Sequence, residues 1–202
     1  MSRILEANAI KKDWRKVQLR VALCYPNVYR VGMTGLPIKL LYHLMNVRED
    51  TACERFFVPT RDEPLLSLES RQPLKRFDVV AFSLQYEWDY ANVVKILLDS
   101  GIPLKSAERK ETHPLVIAGG PCVIENPLPL SPYIDLFVIG EAEEVLDRVL
   151  DSIIEQGRNC LEDLAGRRGV YVPALDERAE RAWVRRLDEA PHPTAQVVPL
   201  VD

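Results

Sequence analysis

Long apolar runs are missing from this 202-residue chain. No stretch reaches the roughly 18 to 20 consecutive apolar residues that a helix needs to cross a bilayer. The first residues, Met-Ser-Arg-Ile-Leu-Glu, also lack the apolar core of a signal peptide. These absences exclude a membrane-spanning helix and predict a cytoplasmic protein.

Cysteine is scarce, and its spacing matches no known cluster. The four cysteines, Cys24, Cys53, Cys122 and Cys160, form neither a CxxC nor a CxxxCxxC motif. In a cytoplasmic chain such scattered residues are expected to be reduced thiols rather than disulfides or zinc ligands. We therefore predict no metal site within this chain.

The net charge and the positions of the histidines argue against two further classes of function, nucleic-acid or membrane binding and triad catalysis. The formal net charge of −4 gives no electrostatic case for a nucleic acid or an anionic membrane as partner. The three histidines, at positions 43, 113 and 192, are dispersed, and none lies near Ser83 in the sequence. No Ser–His–Asp triad can be assembled from these residues, and we predict no catalytic residue in the chain.

What the chain does contain is a regular alternation of strand and helix patterns. The run FDVVAFSL, at 77–84, is apolar almost throughout, as a central parallel strand should be. This alternation predicts an α/β fold: a Rossmann-like or flavodoxin-like three-layer sandwich, with a parallel sheet of about five strands and helices on both faces. The predicted strands are 18–25, 53–58, 77–84, 114–119 and 136–139, and the predicted helices are 36–48, 87–100 and 141–156.

The pattern also suggests a domain organisation. Residues 1–18 are a polar lead-in, 19–157 form the α/β domain, and 158–187 add a short helix and a β-hairpin. The hairpin would pair 169–173 with 181–187 across a turn at Asp176, Glu177 and Arg178. The tail 188–202 has three prolines and no periodicity, which is typical of a linker, and we expect further protein to follow it.

Four loops follow the predicted strands, and the carboxyl ends of parallel strands are where α/β domains bind ligands. Paired glycines in such a loop let a backbone approach a ligand, although glycines after a strand more often form a simple tight turn. The acidic run after Gly140 is also explained by the start of a helix. The candidate cofactor-binding residues are Pro26, Asn27, Tyr29, Gly32, Met33, Ser83, Gln85, Tyr86, Gly119, Gly120, Pro121, Gly140 and Glu141.

Four blocks of sequence resemble a known family. They are YPNVYRVGM, FDVVAFSLQYEWDYANVVKILLDSGIPL, PLVIAGGPCVIENPLPL and YIDLFVIGEAEE. They resemble the amino-terminal cobalamin-binding-like domain of a group of radical S-adenosylmethionine (radical SAM) proteins, best over 19–150. The resemblance implies a cobalamin bound in this domain and a radical SAM catalytic domain following it in the same chain. That following domain would hold a [4Fe–4S] cluster, on a CxxxCxxC motif absent here, and S-adenosylmethionine.

The first loop departs from the pattern of well-known cobalamin domains, which carry D-x-H-x-x-G with the histidine beneath the cobalt. The comparable residues here begin at Asn27 and end at Gly32, with Tyr29 in the place of the histidine. A neutral phenol with a pKa of roughly 10 is a poor cobalt ligand. If cobalamin binds, we expect no protein imidazole beneath its cobalt.

Three interpretations therefore stay open. The chain is a cobalamin-binding accessory domain, or a degenerate scaffold that docks the catalytic domain or another partner, or a free-standing binder of a nucleotide or flavin. The loop 26–33 has no Ser or Thr hydroxyl for a phosphate, which counts against the third.

Overall fold

A six-stranded, mostly parallel sheet forms the centre of the computed structural model, which describes residues 4–61, 63–176 and 178–200. The strands are β1 (Glu6–Ala7), β2 (Leu19–Tyr25), β3 (Thr51–Phe57), β4 (Val79–Ser83), β5 (Leu115–Gly119), β6 (Leu136–Val138), β7 (Val170–Tyr171) and β8 (Val198–Pro199). The helices are α1 (Tyr29–Gly32), α2 (Leu36–Val47), α3 (Tyr90–Asp99), α4 (Pro121–Glu125), α5 (Leu146–Gln156) and α6 (Cys160–Leu164).

The sheet is built outward from β2 in both directions, so the sequential order of its strands changes there. Across the sheet the order is β3-β2-β4-β5-β6-β7, with β2 to β6 parallel and β7 antiparallel to β6. The chain passes from β2 to β3 on one side and then crosses back to β4 on the other. Such a reversal leaves a crevice at the carboxyl ends of β2 and β4, the topological switch point of doubly wound sheets.

Helices cover both faces of this sheet, as the sequence pattern predicts. Side chains of β2 alternate between the faces, so Val21 and Leu23 point to one core and Ala22 and Cys24 to the other. Helices α2, α5 and α6 pack on the first face, and α3 and α4 pack on the second. Each fully buried aliphatic side chain contributes about 1.5–3 kcal/mol to folding, so the two cores are the main source of stability.

The three predicted helices are confirmed, and α3 and α5 begin later than predicted. Helix α2 begins at Leu36 with Pro37 in its first turn, where the missing N–H costs nothing. A 3₁₀ turn, Glu87–Asp89, precedes α3, and another, Ala142–Glu144, precedes α5. Gly101 follows α3 with φ +66°, as expected for a residue that ends a helix.

The C-terminal part differs from the predicted hairpin. Among the described residues, 169–173 and 181–187 do not pair as two strands. Instead β7 extends the main sheet along β6, and Ala182 forms an isolated parallel bridge with Gly140. Glu177, part of the predicted turn, lies outside the described residues. Val170–Tyr171 therefore pairs with β6, which precedes it by about 30 residues, and not with the segment that follows it in the sequence.

The ends of the described chain pack against the domain. Strand β8 pairs antiparallel with β1, and Val197 is buried in the core that α2 and α5 cover. In the lead-in, Trp14 packs edge-on against Phe77 with ring centroids 4.9 Å apart. No helix in the described ranges is long and apolar enough to cross a membrane.

Candidate functional site

An apolar cleft opens at the carboxyl ends of the parallel strands, between α2 and α5. Its volume is about 250 Å³, its floor is formed by β4, β5 and β6, and its walls are aliphatic. The wall side chains include Leu36, Leu40, Leu41, Met45, Ile124 and Leu146. Since clefts of this kind bind the apolar parts of small molecules, it is the first candidate site.

A few polar groups stand at the mouth of the cleft. The Gln85 Nε2 donates a hydrogen bond to the Ser83 Oγ at 3.2 Å, and Ser83 is buried at the end of β4. Glu141 lines the opposite side, and its Oε2 accepts a hydrogen bond from the backbone N–H of Val184. The cleft is thus apolar inside and has amide and carboxylate groups at its rim.

The paired glycines at the end of β5 hold two loops together. Gly120 has φ +117°, and a Cβ built on it would lie 2.3 Å from the carbonyl oxygen of Leu84. The adjacent Gly119 accepts a hydrogen bond from the Leu84 N–H at 2.8 Å. The glycines are therefore required by the close approach of the loops after β4 and β5, and both also line the cleft.

The first loop turns away from the cleft, towards the edge strand β3. The Tyr29 hydroxyl donates to Glu6 Oε1 at 2.8 Å, and its ring packs edge-on against Phe57. A Cβ on Gly32 would lie 2.5 Å from the Phe57 ring, so this loop packs tightly on β3. Burial, followed by the hydrogen bond to Glu6, raises the pKa of Tyr29 well above its ordinary value.

The same loop is anchored on a buried arginine. Arg55, whose side chain is fully buried, donates to both carboxylate oxygens of Glu6 at 2.8 and 2.7 Å and to Glu69 at 2.7 Å. The Met33 sulfur also accepts a hydrogen bond from Arg55. The side chains of Tyr29 and Met33 are thus part of a structural network that joins β1, α1 and β3.

A second polar cluster lies at the switch point between β2 and β4. The Asn27 Nδ2 donates to Asp89 Oδ1 at 2.9 Å, and Asn92 Nδ2 donates to the carbonyl oxygen of Pro26 at 2.8 Å. The neighbouring side chains of Tyr86 and Trp88 are exposed, Trp88 by 93%. In this part of the rim, polar side chains form hydrogen bonds with the protein and aromatic side chains are exposed to solvent.

The predicted site residues therefore fall into three groups. Those that line the cleft are Ser83, Gln85, Gly119, Gly120, Pro121, Gly140 and Glu141. Pro26, Asn27 and the exposed Tyr86 belong to the switch-point part of the rim. Tyr29, Gly32 and Met33 belong to the packing around Arg55 and Phe57.

Sequence reasoning missed the walls of the cleft. The leucines of α2 and Leu146 of α5 are ordinary core residues in a sequence pattern, and they meet only in the folded chain. One signal was present: Leu36 and Leu40 lie beside the main apolar stripe of α2, so this helix is apolar on more than one face.

Metal-ligating groups do not converge within the described ranges: no cluster of three or more His, Cys, Asp or Glu side chains has a geometry that could hold an ion. The four cysteines are buried and not bridged to one another. Burial raises the pKa of Cys24 and of Cys53 far above the ordinary value of a thiol, so neither is a reactive thiolate.

The fold and the rim define a mostly parallel α/β domain with an apolar cleft at the carboxyl ends of its strands. Comparison with known proteins identifies its family. Residues 37–173 match the family described as "Radical SAM proteins, N-terminal", and the chain belongs to that family.

A relative is known from Methanocaldococcus jannaschii, where it is named only as an uncharacterized protein. It is 27% identical to this chain over 184 residues, which cover 90% of this chain and 35% of the relative. The chain thus spans about a third of the length of the curated relative that it matches. No solved structure matches the chain.

Proposed function

We propose that this chain is the accessory domain of a radical SAM enzyme and that its rim binds a corrinoid, cobalamin. The observation that carries the proposal is the apolar cleft at the carboxyl edge of the sheet, with amide and carboxylate groups at its mouth. The family membership supports the radical SAM context. The strand order also leads us to infer a flavodoxin-like layout, whose ligands bind at this edge.

We expect a corrinoid whose cobalt has no protein imidazole beneath it, with only a part of the ligand inside the 250 Å³ cleft and the rest on the rim. The leucines of α2 and α5 would contact the apolar part of the ligand, and Gln85 and Asn27 offer hydrogen bonds to its side-chain amides. No described residue of the cleft is a histidine, and the Tyr29 hydroxyl is held by Glu6. When bound, cobalamin would supply a cobalt centre able to carry an alkyl group.

In this proposal, catalysis belongs to a radical SAM domain elsewhere in the parent protein. That domain would hold a [4Fe–4S] cluster and S-adenosylmethionine, and the rim described here would face it. The contribution of this chain is to bind the corrinoid and to shield one side of it from water.

The proposal is tested by titrating the purified chain with hydroxocobalamin and, separately, with flavin mononucleotide, followed by visible absorption. We expect hydroxocobalamin to bind, with a spectrum that lacks histidine coordination, and flavin not to bind. A spectrum of histidine-coordinated cobalt, or binding of flavin alone, would contradict the proposal.

A matched pair of variants locates the binding site. Leu36 in the cleft and Leu98 on α3 are exposed to nearly the same extent, 55% and 56%. We expect Leu36→Arg to weaken cobalamin binding by about tenfold or more, because a charge replaces an apolar contact. Leu98→Arg lies outside the cleft and should leave the Kd unchanged. Equal effects of both variants would place the ligand elsewhere.

A second candidate function is a non-ligand-binding module that docks the catalytic domain. The exposed Trp88 and Tyr86 at the same rim favour it, because large exposed aromatic side chains are frequent at protein interfaces. In the longer parent protein, docking would protect Trp88 from acrylamide quenching, measured as the difference between the wild type and Trp88→Phe. Protection without any corrinoid binding would favour this second function.

A further inference from the structure

Asp89 is a buried acid whose carboxylate the fold satisfies only in part. It ends the 3₁₀ turn before α3 and lies at the switch point between β2 and β4, with only 3% of its surface exposed. It precedes the first turn of α3, but its side chain makes no capping hydrogen bond to that helix. The usual structural role of an aspartate at this position is therefore not fulfilled.

Only one oxygen of the Asp89 carboxylate has partners. Oδ1 accepts from Asn27 Nδ2 at 2.9 Å and, more weakly, from Asn92 Nδ2 at 3.5 Å. Oδ2 is buried and accepts no hydrogen bond from any described residue. Buried polar atoms are nearly always hydrogen-bonded, so an orphaned carboxylate oxygen indicates a partner that the protein chain itself does not supply.

The surroundings of Asp89 show what kind of partner is missing. Burial, and after it negative groups that include Asp89, raise the pKa of Tyr25 on β2 and of Cys122 on α4, so both side chains lie near Asp89. No described lysine, arginine or histidine forms an ion pair with it. Burial raises the pKa of Asp89, although its hydrogen bonds with Asn27 and Asn92 lower it. Asp89 is therefore a buried carboxylate without a cationic partner among the described residues, and its Oδ2 can accept a further hydrogen bond.

We propose that Asp89 is a ligand-binding residue whose Oδ2 accepts a hydrogen bond from an N–H donor of a ligand bound at the switch point. The inference rests on the proposed corrinoid function and deepens it: the donor would be a side-chain carboxamide of the corrin ring. An acidic group at the start of α3 also disfavours a phosphate there. We therefore expect Asp89 to contact the corrin ring and not the nucleotide tail.

Access to Oδ2 needs a small local opening. The atom has no solvent-exposed surface, but Tyr86 and Trp88, beside it in the sequence, are exposed. Segments with few buried apolar contacts open at low cost. In the proposed complex only the exposed segment 86–88 has to move to bring a ligand to Oδ2.

Two corrinoid probes distinguish a contact with the corrin ring from a contact with the nucleotide tail. Hydroxocobalamin carries both the corrin carboxamides and the nucleotide tail, whereas dicyanocobinamide keeps the carboxamides and lacks the nucleotide. Asp89→Asn retains an oxygen for Asn27 and replaces Oδ2 by an NH₂ group, so it removes the acceptor without changing the shape. We expect Asp89→Asn to weaken binding of both probes about tenfold, the usual consequence of losing a hydrogen bond to a charged group.

Glu87→Gln is the control, because it removes one negative charge from an exposed position two residues away. It should leave both Kd values unchanged, and circular dichroism establishes that both variants are folded. As a second readout, the carboxyl ¹³C shift of Asp89 should titrate at lower pH when dicyanocobinamide is bound, because a donated hydrogen bond favours the charged form.

The outcomes are distinguishable. If the wild type binds the corrinoids and Asp89→Asn binds them equally well, the inference about Asp89 is wrong while the proposed function survives. Equal losses in Asp89→Asn and Glu87→Gln would show a general charge effect and would also overturn it. If the wild type binds neither probe, the proposed function itself has failed, and the inference with it.

Discussion

Replacing Arg55 by methionine is expected to lower the free energy of unfolding by about 3–5 kcal/mol, the usual cost of leaving buried charges unpaired. The structure gives the reason. The Arg55 side chain is fully buried, and its partners Glu6 and Glu69 have side chains only 7% and 2% exposed. Methionine has a similar length and fills the space, but it leaves two buried carboxylates without a cation.

The effect should depend on pH with a definite sign. Burial raises the pKa of Glu69 from its ordinary 4.5, and Arg55 opposes that rise. Without Arg55 the folded-state pKa rises further, and an acid with a raised folded-state pKa destabilises the fold as pH increases above its unfolded value. The difference between variant and wild type should therefore be smallest near pH 4 and grow towards pH 7, over the usual range of carboxyl titration.

Urea denaturation followed by circular dichroism measures this difference at each pH. Arg186→Met is the control, because the exposed pair of Arg186 with Glu189 is expected to contribute less than about 1 kcal/mol. Adding Glu69→Gln to Arg55→Met should recover part of the loss. A loss below about 1 kcal/mol for Arg55→Met, or one that shrinks as the pH rises, would refute this reasoning about the network.

Two further predictions concern packing and are measured by the same denaturation assay. Gly120→Ala should cost about 3 kcal/mol, because it combines a strained φ with a contact to the Leu84 carbonyl; Gly166→Ala, with φ +71° and no atom within 4 Å, should cost about 1–2 kcal/mol from the strain alone. Val197→Ala should cost about 2 kcal/mol, since Val197 is 2% exposed. Val198→Ala, at 38% exposure, should stay within about 0.5 kcal/mol. Equal costs within either pair would contradict the packing described here.

Much of the fold follows from local patterns. The apolar run that contains Val79–Ser83 is short, has no polar face and is rich in valine and phenylalanine, which indicates a strand buried on both sides. The stripe of α5 is equally clear, because its apolar residues recur at helical spacing and Gly157 follows its last residue. Such elements are predictable because the periodicity of burial is a property of consecutive residues.

The candidate site was only partly predictable. That the loops after β4, β5 and β6 meet at one edge follows from parallel strands, and the residues predicted there, except Tyr86, line the cleft. The orientation of the first loop did not follow, because Tyr29 is held by Glu6, 23 residues earlier in the chain. The orphaned oxygen of Asp89 was equally invisible, since a missing partner can be seen only when all neighbours are placed.

The sequence by itself determined the alternation of strands and helices, the buried character of the sheet and the edge at which the loops after the strands meet. Each depends on short-range periodicity and on the rule that parallel strands end together. Only the tertiary structure decided which strand β7 joins, where the two ends of the described chain pack, and which rim residues face a cleft rather than a core. Those choices depend on contacts between residues far apart in the chain, whose free energies no local pattern contains.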